Sequence, residues 1–165
     1  MDADGLLRGK QLSSDFERWD WTLSWADTIA SLVSQFIHKP TAVVLNSGLW
    51  TPQPGEALLR ALDAASTKVS KCSFWKTTTL SKHLFDDDAP GRVLRRRSAA
   101  ANIDPAARAV FGDRVFDAAR VTALAAVGEY WDDHHFTPGV YNALNVALLS
   151  HLQKHPDCAS VVQPP

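Results

Sequence analysis

The chain has 165 residues, 45% of them hydrophobic and 21% charged, enough for one globular domain with a substantial core. Its 17 basic and 18 acidic residues leave a net charge of −1, which argues against a nucleic-acid binder held by a broad basic face. No run approaches the ~18 apolar residues of a membrane helix, and the polar opening segment, residues 1–20, lacks the basic and apolar regions of a signal peptide. The expectation is therefore a cytoplasmic protein, or a natural chain that begins upstream of Met1.

Residues 21–155 read as one α/β domain and 156–165 as a tail. "SWADTIASLVSQFIHKP" carries Trp25, Ile29, Leu32, Val33, Phe36 and Ile37 at helical spacing, with His38 and Lys39 near its C-terminal dipole and Pro40 as its stop. "TAVVLNSGLW" follows, and Ala42 to Leu45 has the look of a short buried parallel strand opening into a turn. "TPQPGEALLRALDAAS" predicts a helix with Thr51 as N-cap, Pro52 at the first position, and Ala57, Leu58, Ala61, Leu62 and Ala65 inward. "KVSKCSFWKTTT" is rich in β-formers and predicts the next strand. Helix, strand, helix, strand implies a parallel sheet flanked by helices, with ligands at the carboxyl ends of its strands, where Asn46 and the threonines 77 to 79 fall.

Residues 82–104 show no sustained period and read as a charged loop. Its Arg95, Arg96 and Arg97 are most simply solvated, the alternative being an anion-binding or targeting patch. "RVFDAARVTALAAVGEY" is either a short strand at Val115 to Asp117 leading into a loop or helix, or one alanine-rich helix. The last element is clear: Thr137 as N-cap, Pro138 at the first position, then Val140, Leu144, Ala147, Leu148 and Leu152 at helical spacing. Cys72 and Cys158 are the only cysteines, and a long-range disulfide and two separate thiols both remain open.

"WDDHHFTPGVYNAL", residues 131 to 144, places two carboxylates and two imidazoles just before that helix. In a catalytic reading, Asp132 accepts a hydrogen bond from one ring nitrogen of His135 and leaves the other to act as a base. A metal site built from Asp132, Asp133, His134 and His135 would need ligands from elsewhere, and His83, His151 and His155 have no evident route there. His151 and His155, four residues apart, read as surface histidines. In the structural reading the cluster only shapes a helix start. No metal and no cofactor is assigned.

The stretches "VVLNSGLW", "WKTTT" and "WDDHHFTPGVYNAL" resemble the SGNH (GDSL-like) hydrolase superfamily, in its branch of PC-esterase, trichome-birefringence-like and NXPE-like carbohydrate acyl-esterases and acyltransferases. The resemblance runs from about residue 20 to 155 and covers 82–104 poorly. It implies a three-layer α/β/α fold, ester chemistry on an O-acylated glycan or glycoconjugate, and residence in the secretory pathway or Golgi. His135 would be the general base, Asp132 its partner and Asn46 an oxyanion donor, with Asp133 and His134 as neighbours on unconstrained positions of the motif. The superfamily's nucleophile is a serine in an N-terminal Gly-Asp-Ser block, and this sequence has none: "FGDRVF" lacks the serine, and Ser13, Ser14 and Ser47 lack the setting. The domain thus reads as partial, missing its first strand and inactive alone unless another segment supplies a serine. The rival expectation is a non-catalytic carbohydrate- or protein-binding domain relying on Trp50, Trp75 and Trp131.

Overall fold

A computed structural model describes residues 40–47, 54–82 and 92–158, the side chains of 92–96 excepted. The helix expected at 25–37, Trp50, Thr51, Pro52 and His83 lie outside these residues. The strands are β1 (Val43–Leu45), β2 (Ser73–Lys76) and β3 (Val115–Phe116). They form a 3-stranded parallel sheet in the order β1-β2-β3, with Leu45 opposite Trp75 and Trp75 opposite Val115. The α/β architecture with a helix-flanked parallel sheet is therefore present.

Alternate strand residues face opposite ways, and each side is covered. Leu45, Trp75 and Val115 pack under α1 (Glu56–Val69), through Leu58, Leu59 and Leu62, and under α3 (Pro105–Phe111), through Ala107 and Phe111. On the opposite side, Phe74 and Phe116 meet α5 (Pro138–Lys154): Phe116 joins Val140 and Leu144, while Phe74 joins Leu152.

The expected helix after β1 exists, but it starts at Glu56 behind Gly55. Its buried face is Leu58, Leu59, Leu62, Ala65 and Ser66, whereas Ala57 is exposed, so the larger leucines rather than the alanines set its rotation. A two-pronged ion pair anchors it further on, with Arg114 Nη1 and Nη2 at 2.6 and 2.9 Å from the Asp63 oxygens.

Residues 82–104 are not a continuous loop. Helix α2 (Arg92–Ala101) crosses the second half, and Ala100 is buried with Leu80, Ala119 and Ala123. Arginine, leucine and alanine are strong helix formers, and contacts made by alanine leave little periodicity to read. Arg97 is exposed. Asp104 then takes a left-handed backbone, φ 51°, and its Oδ2 accepts from Trp75 Nε1 at 3.1 Å and Thr78 N at 2.8 Å. Of the two readings for 114–130 the strand holds: β3 is followed by α4 (Ala118–Thr122), capped by the Asp117 carboxylate accepting from Arg120 N at 3.0 Å. Helix α5 has Thr137 in the N-cap position and Pro138 first, as expected, although the Thr137 side chain makes no capping bond.

Two further expectations are corrected at the C-terminal end of α5 and just after it. Cys72 and Cys158 form a disulfide, so the start of the supposed tail, Pro156–Cys158, is tied into the core. His151 and His155 are not plain surface residues. Both rings meet Phe74 edge-on, at 5.3 and 4.9 Å, and both Nε2 atoms are shielded from solvent without a hydrogen-bond partner among the described residues.

Burial pushes the His151 imidazole below its ordinary value, helped by His155 and Lys154 and opposed by Asp113. Asp113 and Asp157 also flank His155, at 3.8 and 3.9 Å. The unfolded chain therefore takes up the His151 proton first as the pH falls. Stability is full above the ordinary imidazole value and declines as the pH falls below it, until the depressed folded-state value is passed. Urea midpoints over that range will fall in the parent chain, and His151→Phe will flatten the decline.

Candidate active site

The loop Trp131–His135 is pinched off by an antiparallel bridge between Tyr130 and Phe136, with Trp131 N donating to His135 O at 2.8 Å. Its base is rigid. The Tyr130 and Phe136 rings lie 4.4 Å apart in the core, and Tyr130 donates its hydroxyl to Leu80 O at 3.1 Å.

Within the loop the Asp132 carboxylate organises the turn. Oδ1 accepts from the backbone N–H groups of His134 and His135, both at 2.7 Å, and Oδ2 lies 2.6 Å from His135 Nδ1. A short polar side chain bonded to the backbone two and three residues on is a self-contained turn, which is why Asp-x-x-His folds locally. The His134 backbone bond, then the His135 ring and the His135 backbone, hold the Asp132 carboxyl well below the usual carboxylate range. An ionised Asp132 accepts only, so it fixes the neutral tautomer with hydrogen on Nδ1 and leaves Nε2 with its lone pair. Both side chains are exposed, His135 at 66% and Asp132 at 57%. The arrangement can take a proton from a hydroxyl brought to Nε2.

The neighbours Asp133 and His134 meet the chain leaving β2, Asp133 through its backbone and His134 through its ring. Lys82 N donates to Asp133 O at 2.8 Å, and His134 Nδ1 lies 3.1 Å from Ser81 Oγ. The chain leaving the carboxyl end of β2 thus runs directly against the loop. Ser81 gave no signal in the sequence, because its link to His134 spans 53 positions.

Asn46 sits at the carboxyl end of β1, exposed, and its Nδ2 donates to Lys76 O at 2.7 Å. A primary amide carries two N–H groups, so one remains for another acceptor. Among the described residues no hydrogen bond joins Asn46 to Asp132 or His135. The threonines hold the sheet edge together: Thr77 Oγ1 accepts from Ala119 N at 2.9 Å, and Thr78 is bonded to Asp104. Lys76, which the sequence reading did not single out, lies on the same edge. Burial pushes its ammonium below the ordinary lysine range, and Asp104 partly restores it.

The tryptophans divide. Trp131 is 69% exposed beside Asp132. Trp75 is 1% exposed with its ring 5.5 Å from Phe111, so it is a core residue and not the stacking platform expected. Its bulk and apolar area make it the filler between α1 and α3. No group of three or more ligating side chains among the described residues is arranged to hold a metal ion. Among these residues no helix is long and apolar enough to cross a membrane. No protein-family model matches the chain, and comparison with curated proteins and with solved structures gives no match.

Proposed function

We propose that the chain is the C-terminal portion of an SGNH-like acyl-esterase or O-acyltransferase acting on O-acylated carbohydrate. The observation that carries this reading is the Asp132–His135 pair: an ionised carboxylate, fixed by two backbone N–H groups, holds the imidazole with Nε2 as acceptor. His135 is the general base, Asp132 orients it, and the second N–H of Asn46 is the oxyanion donor. The parallel sheet and the position of the pair just before the last helix agree with the resemblance in sequence. The disulfide supports an oxidising compartment, and hence the secretory pathway over the cytoplasm. Turnover requires a hydroxyl nucleophile beside the base, which in the superfamily comes from the Gly-Asp-Ser block.

The exposed Trp131 favours a second reading, a carbohydrate-binding domain without chemistry. The two part experimentally. In the enzyme reading Trp131→Ala weakens binding of an O-acylated oligosaccharide about 3–10-fold, the worth of one stacking face, and the protein releases the acyl group once a serine nucleophile is supplied. Calorimetric binding with no acyl release would leave the binding domain.

A further inference from the structure

Ser81 lies just beyond the carboxyl end of β2, is 5% exposed, and has its hydroxyl 3.1 Å from His134 Nδ1. The backbone on either side is fixed, Leu80 N donating to Thr122 Oγ1 at 3.1 Å and Lys82 N to Asp133 O at 2.8 Å. A serine hydroxyl held on an imidazole nitrogen is the arrangement that activates serine for attack, and positional rigidity is what makes the attack efficient. Next to it, on the same loop, stands a second imidazole with a different partner.

The geometry points to Ser81 as a nucleophile and His134 as its base, with the neighbouring Asp132–His135 pair serving the second half of the same acyl transfer. The inference rests on the acyl-ester reading above and supplies the hydroxyl that reading lacks. In the first half, Ser81 Oγ attacks the acyl carbonyl carbon while His134 Nδ1 takes its proton. The new Oγ–C bond forms and the carbonyl π pair moves onto oxygen. Collapse breaks the ester C–O bond, and the departing sugar oxygen receives the proton from His134. In the second half, His135 Nε2 takes a proton from water or an acceptor hydroxyl, which attacks the acyl carbon. Collapse then breaks the Oγ–C bond and releases the acid or the new ester, while His135 Nε2 gives the proton it took to Ser81 Oγ, restoring both groups. Two adjacent histidines thereby have separate work, which accounts for one being held on a serine and the other on a carboxylate.

The test is covalent labelling of the purified chain with a fluorophosphonate, read by intact mass and peptide mapping. The expected result is one adduct per chain, on Ser81. His134→Gln should slow labelling at least ~100-fold with an unchanged melting curve, the usual worth of a general base. His135→Ala should, with p-nitrophenyl acetate, give a burst of one equivalent followed by little turnover. Mapping on the parent chain needs no substitution, so a misfolded variant cannot hide the answer. An adduct on another serine, no adduct, or labelling indifferent to His134→Gln overturns the inference. Failure of the two readings is separable. Acyl release from a glycan with Ser81 unlabelled sinks this dyad and keeps His135, whereas a labelled Ser81 without glycan turnover keeps the dyad and sinks the carbohydrate ester.

Discussion

Replacing Cys72 and Cys158 together by alanine lowers the stability of the chain by roughly 4–5 kcal/mol. The bridge spans a sequence separation of 86, and closing a loop of that length removes unfolded-state entropy worth about 4–5 kcal/mol on the chain-entropy account. The bridge joins the entry to β2 with the turn after α5, so its loss frees the end of that helix from Phe74. Both cysteines are fully enclosed, and alanine avoids placing new hydroxyls there. For a chain of this size the melting midpoint should drop by roughly 10–20 °C. Dithiothreitol on the parent chain should produce the same shift. A loss below about 1 kcal/mol would mean that the sheet and α5 hold without the bridge.

The second large effect is on chemistry rather than stability. His135→Ala reduces turnover of an acyl ester by about 10²–10⁴-fold, the range expected when a positioned general base is removed. The side chain is mostly exposed and, among the described residues, its hydrogen bond is with Asp132, so folding stability should move by no more than about 0.5 kcal/mol. Asp132→Asn should cut turnover by a similar order for a different reason. The asparagine oxygen can still accept from the His134 and His135 backbone, but its NH₂ then faces His135 Nδ1 and selects the wrong tautomer. Because the Asp132 carboxyl ionises well below the ordinary range, its own protonation does not set the acid limb of the pH profile. An Asp132→Asn enzyme with full activity would remove the carboxylate from the mechanism.

Local features of this fold were legible in the sequence and long-range ones were not. The last helix could be read because Pro138 and the spacing from Val140 to Leu152 are contained in one segment. The Asp132–His135 bond could be read because a four-residue turn builds it without help. Helix α2 was hidden, since its buried Ala100 looks like any other alanine in the sequence and its burial depends on Leu80, Ala119 and Ala123. Trp75 was misplaced for a related reason: an aromatic at a strand end looks the same whether it stacks on a ligand or fills the space under α1. Its fate is settled by Asp104, 29 positions away, which takes its indole N–H. The pairing of the cysteines and the meeting of Ser81 with His134 likewise depend on how the strands are ordered, which no local pattern encodes.

The most direct measurement is acyl release from an O-acetylated oligosaccharide by the parent chain and by His135→Ala, side by side with their melting curves. With Ser81 supplying the hydroxyl, the account predicts measurable release by the parent, a loss of at least ~100-fold in the variant, and superimposable melts. Equal release by both proteins, or none by the parent, would contradict it.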